Sequence, residues 1–414
     1  METTFSIRQA RLTAAFAAAL TFGLAAGAAS AGTVRVTIPE YSANTMPYFQ
    51  QAAESFTKAH PDTKIELEMV PWTALQQKLV TDISGGVNAD LAVIGTRWIL
   101  DYADQGVIEP LDGRIDAAFK DRFFDVFLTP SVVEGKNYGL PIAASARAMF
   151  YNKAILEKAG VAEPPATWDA LVDAARKIKA SGQPVSAYGL QGKSTETDVF
   201  FYYPMWSYGG DIITAGGKSG VNTEAGKTAL GIYKTLVDEG LTEPGVTDYA
   251  RADVESLFKQ NKLGFVITGP FLSKQLREQA PDVKYGIAKV PAGTTTATYG
   301  VTDSIVMFSN SKVKDEAWAF LDFLFTTDQR VKFDEAEGFL PVNKGEAAQP
   351  QFANNEDLKV FTSLLGNAKF APLIGGWEEI ADATINALQS VYLGKETPDA
   401  ALSAIETAVN GILP

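Results

Sequence analysis

The chain has 414 residues, no cysteine, one histidine and a formal net charge of −13 at pH 7. Without cysteine it has no disulfide bond, no thiolate nucleophile and no thiolate metal ligand. A chain this acidic is poorly suited to nucleic acid or to an anionic membrane surface, and its length is that of about two domains of roughly 150 residues.

The first 31 residues have the pattern of a secretory signal peptide. Arg8 and Arg11 give a basic start, residues 12–28 are uncharged and mostly apolar, and Ala29-Ser30-Ala31 matches a signal-peptidase site. The apolar run is too short and too rich in Ala and Gly to predict a transmembrane helix of roughly 20 apolar residues. We therefore expect a mature chain that begins near Gly32 and lies in the periplasm without stable membrane insertion.

Strand and helix patterns alternate from the start of this mature chain. Residues 34–38 and 65–69 alternate apolar and polar side chains, as half-buried strands do. Apolar residues at helical spacing predict helices over 46–56 and 72–83. Residues 89–95 form an apolar run that is typical of a central parallel strand. This order of strands and helices predicts the beginning of a doubly wound α/β sheet.

A second α/β unit is predicted further along the chain. A strand is expected at 149–151, followed by a helix that Thr167 caps. The same patterns predict further helices at 224–239, 254–262, 314–327 and 377–392, and a strand at 263–268. Because no long linker or repeat separates the two units, we expect short crossing segments to join them.

The sequence lacks the signatures of common enzymes. The one histidine, His60, lies at a predicted helix end, where a Ser-His-Asp or Cys-His triad has no support. Zinc lacks its usual nitrogen and sulfur ligands, and Ile212 stands where a phosphate-binding loop ending at Ser219 needs glycine. We predict no catalytic residue, no metal and no cofactor. A secreted glycan-active enzyme with a carboxylate pair, such as Glu378-Glu379, is the alternative of another class.

Short motifs spread over nearly the whole mature chain resemble one protein family. They include Ala89-Asp90-Leu91 with Arg97, Asp104-Gln105-Gly106-Val107-Ile108-Glu109-Pro110-Leu111, Tyr138-Gly139-Leu140-Pro141, Phe150-Tyr151-Asn152-Lys153, Thr268-Gly269-Pro270, Ala317-Trp318-Ala319-Phe320-Leu321 and Thr384-Ile385-Asn386-Ala387. In this order they are similar to the bacterial extracellular solute-binding proteins of family 1, the maltose-binding-protein-like group that serves ABC importers.

The resemblance implies two doubly wound α/β lobes joined by short hinge segments, as in type II periplasmic binding proteins. It implies an N-terminal lobe of residues 32–143 plus 292–325 and a C-terminal lobe of 144–291 plus 326–414. The implied function is that of the periplasmic substrate-binding component of an ABC importer. Such a component captures a mono- or oligosaccharide or a polyol in the inter-lobe cleft, by the hinge closure known for periplasmic binding proteins. Its implied partners are this ligand and the permease subunits, the chain acting as a monomer; a role as a chemoreceptor's sensor partner stays open.

The same resemblance, carried over position by position, implies a set of ligand-binding residues. A sugar offers hydroxyl groups, which need carboxylates, amides or arginines, and apolar C–H faces, which stack on aromatic rings. The predicted ligand-binding residues are Tyr41, Asn44, Arg97, Trp98, Ser145, Arg147, Glu196, Asp198, Phe271, Asp303 and Trp377.

Several aromatic positions have a second interpretation. Trp98 and Phe271 fit core packing as well as they fit stacking on a ligand. Trp72 heads the apolar stripe of its predicted helix, so core packing is expected first and a place at the cleft rim second. Trp377 follows Gly375-Gly376 and opens a predicted helix, which favours exposure of its ring to a cleft.

The polar positions leave the ligand's charge open. Arg147 fits a hinge ion pair as well as a ligand contact, and Asp303 fits a turn cap as well as a cleft position. Ser145 stands where the maltose-binding relative has a carboxylate, so maltodextrin specificity does not follow. Because a guanidinium can bind a carboxylate or sulfonate bidentately, Arg97 and Arg147 make an acidic sugar the alternative ligand.

Overall fold

The computed structural model describes residues 32–193 and 196–413, so the predicted signal peptide lies outside the described residues. The strands are β1 Gly32–Glu40, β2 Thr63–Pro71, β3 Leu91–Gly95, β4 Val132–Val133, β5 Lys136–Asn137, β6 Leu140–Ala146, β7 Ala148–Asn152, β8 Ser186–Gly189, β9 Leu263–Thr268, β10 Tyr285–Ala288, β11 Thr298–Met307 and β12 Ala368–Lys369. The helices of the first half are α1 Thr45–Ala59, α2 Trp72–Gly85, α3 Ile99–Asp104, α4 Ala117–Lys120, α5 Asp125–Leu128, α6 Lys153–Lys158, α7 Trp168–Ala180 and α8 Thr197–Ser207. Those of the second half are α9 Glu224–Asp238, α10 Arg251–Lys259, α11 Phe271–Gln279, α12 Lys314–Leu324, α13 Thr327–Glu337, α14 Lys344–Ala347, α15 Pro350–Ala353, α16 Glu356–Leu364, α17 Trp377–Tyr392 and α18 Pro398–Ile412. Across these ranges, every helix is too short or too polar to span a bilayer.

The first sheet joins strands that are far apart in the chain, with β1 and β11 on either side of β3. Its strands follow the order β12-β11-β3-β1-β2, and β6 also pairs with β11. β1 is parallel to β2 and β3, whereas β11 is antiparallel to β3 and β6. The alternating residues that predicted β1, Val34, Val36 and Ile38, are buried in one cluster with Phe49 and Phe320 of the flanking helices. The sheet is therefore covered by helices, as a largely parallel arrangement requires.

The second sheet is smaller and has the strand order β10-β7-β9-β8. β7 is antiparallel to β9 and β10, and β8 is parallel to β9. Its core holds Trp168, Tyr188 and Tyr233, which are all buried. Every residue of α8 is buried as well. A helix that is apolar all round lies inside the protein rather than at its surface, and α8 has that place.

The chain passes between the two sheets through segments that lie side by side. β6 ends at Ala146 and β7 begins at Ala148, so Arg147 alone links the first sheet to the second. The chain returns between the end of β10 and Thr298, the first residue of β11. The Thr298 hydroxyl donates to the Arg147 carbonyl oxygen at 2.6 Å and accepts from the Arg147 N–H at 3.1 Å. The two crossings are therefore bonded to each other.

Most predicted elements are confirmed, and the exceptions have physical causes. The helix predicted at 72–83 is α2, which ends where Gly86 takes a left-handed φ of 65°. Thr167 caps α7 by accepting from the Ala170 N–H at 3.2 Å. The predictions at 263–268 and 377–392 match β9 and α17. The helix predicted at 314–327 ends earlier, at Leu324, and α13 follows as a separate helix.

The position of α13 corrects one predicted lobe boundary. The Phe333 ring of α13 contacts the rings of Tyr48 and Phe49 on α1, at centroid distances of 5.1 and 6.2 Å. The prediction had placed residues 326–414 in the C-terminal lobe. Because α13 buries its aromatic face on α1, these contacts place residues 327–337 with the first sheet instead. The other lobe boundaries stay predictions.

Candidate functional site

A cleft of about 620 Å³ lies between elements of the first sheet and elements of the second. It is bordered by the loop after β1, the start of α2, the end of β3, the helices α10 and α11, and the beginning of β11. Nine of the eleven predicted residues line it, namely Tyr41, Asn44, Arg97, Trp98, Ser145, Arg147, Glu196, Phe271 and Asp303. The fold thus brings them together from distant parts of the chain, and their contact with a ligand stays a prediction.

Tyr41 and Asp303 form a polar pair on the side of the first sheet. The Tyr41 hydroxyl donates to Asp303 Oδ2 at 2.9 Å. Burial raises the pKa of Asp303 to about 7, although the hydrogen bond from Tyr41 acts to lower it. The loop that carries Tyr41 is fixed by Asn44, whose Nδ2 donates to the Ala336 carbonyl oxygen at 3.1 Å. Asp303 keeps its other oxygen as an acceptor for a hydroxyl group.

Arg147 carries a buried charge at the crossing between the sheets. Its side chain is nearly inaccessible, with the residue 3% exposed. One Nη donates to Ser145 Oγ at 2.6 Å, and the other donates to both carboxylate oxygens of Glu196 at 2.9 Å. The structure therefore places Arg147 in an ion pair at the hinge, one of the two roles the sequence left open.

Glu196 is held by two arginines and by a strained backbone. Arg251 Nη1 donates to Glu196 Oε2 at 3.1 Å, in addition to the bonds from Arg147. Burial alone raises the pKa of Glu196, but the charges of Arg147 and Arg251 outweigh it and hold the pKa below its ordinary value. Glu196 has a φ of 70°, the left-handed region that non-glycine residues rarely adopt. Such strain persists where surrounding contacts fix the residue, as at binding sites.

Arg97 is bound by carboxylates from the side of the second sheet. Its guanidinium donates to both oxygens of Glu378 on α17, with Nη2 at 2.8 Å from Oε2. Asp198 on α8 lies below it, with Oδ2 at 3.7 Å from Nη1. Burial raises the pKa of Asp198 to about 6 against the effect of Arg97. Asp198 is fully buried and does not line the cleft, so the prediction that it contacts the ligand is wrong. It supports Arg97 instead.

Trp377 was predicted to stack on a ligand, and the structure corrects this. Its residue exposure is 0%, it does not line the cleft, and its ring lies 6.2 Å from that of Tyr202. The reason is that α17 packs on α8, where the Tyr202 hydroxyl is 3.4 Å from Thr384 Oγ1. The next residue, Glu378, is the one that turns toward Arg97.

Trp98 and Phe271 line the cleft with rings that are mostly covered. Trp98 is 4% exposed and meets Trp72 edge-on, with ring centroids 6.1 Å apart. The Arg251 guanidinium lies 5.1 Å from the centre of the Phe271 ring. For both residues, core packing describes most of the side chain's surroundings.

Sequence reasoning missed several residues that line the cleft. Trp72, expected first in the core, is half-buried at the cleft, and Arg251, Glu337 and Phe370, which are not among the predicted ligand-binding residues, line it as well. Arg251 and Phe370 lie in no motif, so only the tertiary structure reveals them. Glu337 is the last residue of α13, and its place at the cleft likewise follows from how that helix packs. In the described ranges, no group of three or more His, Cys, Asp or Glu side chains is arranged to hold a metal ion.

Two sheets joined by short crossings, with polar and aromatic side chains converging on the cleft between them, define a two-lobed binding protein. The family of bacterial extracellular solute-binding proteins matches residues 41–331. This chain belongs to that family, and the predicted two-lobed α/β fold is confirmed.

Individual relatives agree with this assignment. A binding protein of Brucella abortus (strain 2308) is 57% identical over 390 residues, which cover 94% of this chain and 95% of the relative. The maltotriose-binding protein of Pyrococcus abyssi is 25% identical over 343 residues, or 80% of this chain and 71% of the relative. A solute-binding protein of an ABC transporter from Thermotoga lettingae, bound with α-D-tagatose, superposes with a TM-score of 0.86 at 26% identity, covering 92% of this chain and 100% of that one.

Replacing Trp377 tests its position in the core. We expect Trp377→Ala to lower the free energy of unfolding by about 3–5 kcal/mol, because it leaves a cavity between α17 and α8. Chemical denaturation at an unchanged m-value measures this loss. The matched control is Trp318→Ala, since Trp318 is only half-buried on α12, and it should cost less. A Trp377→Ala protein of normal stability that has lost ligand affinity would return this ring to the cleft.

The raised pKa of Asp303 predicts a pH-dependent stability. The unfolded value is 3.8 and the folded value is about 7, so Asp303 stabilises the fold fully below about pH 4 and loses that contribution as the pH rises through 7. Asp303→Asn stays neutral, so its melting temperature should gain on the wild type between pH 5 and pH 8, by an amount equivalent to about 2 kcal/mol or more. The control is Asp104→Asn, at an exposed position. Its melting temperature should change with pH in parallel with that of the wild type. Parallel profiles for Asp303→Asn would show that Asp303 is charged throughout.

Proposed function

We propose that this protein captures a neutral sugar or polyol in the periplasm and delivers it to the permease subunits of an ABC importer. The observation that favours a neutral ligand is that the guanidinium groups at the cleft are paired with carboxylates of the protein. Arg97 is bound by Glu378, and Arg147 and Arg251 share Glu196. In the described part of the cleft, each arginine thus already has a carboxylate partner.

An acidic sugar is disfavoured by this pairing. To bind any of these arginines, its carboxylate would have to displace a carboxylate of the protein, and the displaced group would remain partly buried without a partner. Breaking a buried ion pair in this way is strongly unfavourable. Asp303 adds a further negative charge beside Arg147 and Arg251 whenever it is ionised. Hydroxyl groups, in contrast, can donate to Asp303 and Glu337 without disturbing any pair.

Binding without catalysis is supported by the state of the carboxylates and by the family. Glu378, one of the acids that a glycosidase mechanism would have used, is held in an ion pair by Arg97, and its neighbour Glu379 is exposed to solvent. The family consists of solute-binding proteins. Relatives named for maltotriose binding and an ABC-transporter protein bound with tagatose support a carbohydrate delivered to an importer.

A panel of matched neutral and acidic sugars tests the proposal. The panel pairs D-glucose with D-glucuronate and D-galactose with D-galacturonate, and adds maltose, lactose and D-mannitol. A neutral compound present at about 100 times its Kd should stabilise the protein by roughly 2.7 kcal/mol, whereas its uronate should not. The bound compound should also be recovered chemically unchanged after denaturation. Stabilisation by the uronates alone, or conversion of the compound, would contradict the proposal.

The variant Glu196→Gln sharpens the same test. Removing this carboxylate frees the charges of Arg147 and Arg251, so the protein should discriminate less against the uronate of each pair, by about tenfold or more in Kd. Glu379→Gln is the matched control, because Glu379 is exposed outside the cleft, and it should keep the wild-type discrimination. Unchanged discrimination in Glu196→Gln would mean that arginine pairing does not set the charge preference.

A further inference from the structure

Three charged side chains of α13 and α14 are buried together and do not line the cleft. Arg330 and Asp334 lie one turn apart on α13, and Glu346 comes from α14. All three side chains are 0% exposed. Arg330 Nη2 lies 3.2 Å from Asp334 Oδ2, and Arg330 Nε lies 3.8 Å from Glu346 Oε2. One positive charge is thus set against two carboxyl groups.

The groups that surround this cluster do not balance the second carboxyl group. Phe325 and Phe333 cover the guanidinium, with ring centres 5.7 and 4.7 Å from its central carbon. Tyr48 of α1 is buried near the cluster, and its hydroxyl donates to a backbone carbonyl oxygen at 3.2 Å. Asp328, at the start of α13, is bound at the surface by Lys332 at 2.6 Å. Two ionised carboxylates would therefore leave a net negative charge in the core, which is costly.

A proton shared by the two carboxyl groups removes this excess charge. Asp334 is in hydrogen-bonding contact with Glu346. Because ionised carboxylates are acceptors only, this contact needs a proton on one of them. Neither oxygen of Glu346 has another hydrogen-bond donor among the described residues. Burial, and after it the charge of Glu346, raises the pKa of Asp334 well above its ordinary value, against the effect of Arg330.

The helix that carries Asp334 also holds one wall of the cleft. In its last turn, Glu337 accepts from the Thr45 hydroxyl at 2.7 Å, and a backbone carbonyl oxygen accepts from Asn44 Nδ2 at 3.1 Å. Thr45 Oγ1 in turn accepts from the Tyr41 N–H at 3.0 Å. Tyr41, Asn44 and Glu337 line the cleft. Burial raises the pKa of Tyr41, and the charge of Arg330 opposes this effect, so the cluster acts on the cleft wall directly.

We propose that Asp334 and Glu346 share one proton at neutral pH, and that this proton keeps α13 and the cleft wall of residues 41–45 in place. The inference does not depend on which compound the cleft binds. Opening of α13 separates the pair and releases the proton, because an exposed carboxyl group is ionised at neutral pH.

The sign of the pH dependence follows from this release. The ordinary pKa of Asp334 is 3.8 and its folded value lies well above that. The pair therefore stabilises α13 fully below about pH 4 and loses this contribution as the pH rises through the folded value. Over that interval, the opening of α13 becomes more favourable by about tenfold per pH unit for one released proton.

The variant Glu346→Gln tests whether the proton is present. Glutamine keeps the size of the side chain and can donate to Asp334 without a proton from solvent, so folding of this variant takes up one proton fewer. Its folding equilibrium constant, measured by chemical denaturation, should gain on the wild type by up to about tenfold per pH unit between about pH 5 and pH 8. Asp303 contributes alike to both proteins and cancels in this comparison.

Two further variants complete the denaturation test. Asp334→Asn repeats it from the other side of the pair and should show the same gain. Glu335→Gln is the matched control, because Glu335 is exposed on the same helix. Its folding equilibrium constant should change with pH as that of the wild type does.

Hydrogen exchange then tests whether the proton holds the cleft wall. Amide exchange of residues 41–45 and 327–337 would be followed without sugar, at several pH values, in the wild type and in Glu346→Gln. Comparison at the same pH removes the intrinsic dependence of exchange on pH. The ratio of the wild-type rate to the variant rate should rise with pH in both segments. The ratio of the wild type to Glu335→Gln should stay near one.

The results decide the two parts of the inference separately. An equal pH dependence of folding in the wild type, Glu346→Gln and Asp334→Asn would show that both carboxyl groups are ionised, and it would overturn the inference. A gain of both variants with pH, but an exchange ratio in residues 41–45 that is independent of pH, would overturn the link to the cleft wall. Neither result bears on the proposed function.

Discussion

The buried charge of Arg147 is the constraint on which the arrangement of the cleft depends. Arg147 is the one residue between a strand of the first sheet and a strand of the second, so its guanidinium is fixed close to the hinge. A charge in that place must be paired and hydrogen-bonded, since an unpaired buried charge is very costly. Ser145 and Glu196 meet this requirement. Glu196 in turn draws Arg251 toward the cleft, and Arg251 covers the ring of Phe271.

The same pairing leaves a distinct set of groups for a ligand. The arginines are paired with carboxylates, whereas Asp303 and Glu337 offer carboxylate oxygens, and aromatic rings such as those of Trp72 and Phe370 line the cleft. Carboxylate acceptors and aromatic rings are complementary to the hydroxyl groups and C–H faces of a carbohydrate. The ion pairs near the hinge thus act as a scaffold, and the carboxylates that lie outside these ion pairs, Asp303 and Glu337, are the groups suited to recognition of hydroxyl groups.

Patterns in the sequence were sufficient to predict most helices and strands and the general position of the candidate site. Alternation in β1 and helical spacing in α2 and α17 report which faces are buried, and burial is what the period of a sequence encodes. The resemblance to the family indicated which loops hold the ligand-binding residues, because ligand contacts in such folds lie at strand ends. It placed Tyr41, Arg97 and Asp303 at the cleft for this reason.

The errors concern the direction of single side chains and long-range packing. Trp377 and Glu378 are neighbours on one helix, and which of them reaches Arg97 depends on how α17 packs on α8, which no local pattern reveals. Phe370 stands in a short segment without periodicity, so its place above Gly300 could not be predicted. The position of α13 beside α1 joins residues almost 300 positions apart in the chain, as the 292-residue separation between Thr45 and Glu337 shows. Such contacts are tertiary, and they override local expectations.

Two units joined at short crossings should change their relative position when a ligand enters the cleft. The chain has no cysteine, so a Val80→Cys, Leu393→Cys protein carries thiols only at two exposed positions, one on α2 and one just after α17. Spin labels there report the distance between the first-sheet unit and the second-sheet unit. We predict that a sugar which raises the melting temperature also shifts the distance distribution between the labels. An unchanged distribution at saturating sugar would contradict closure of the cleft.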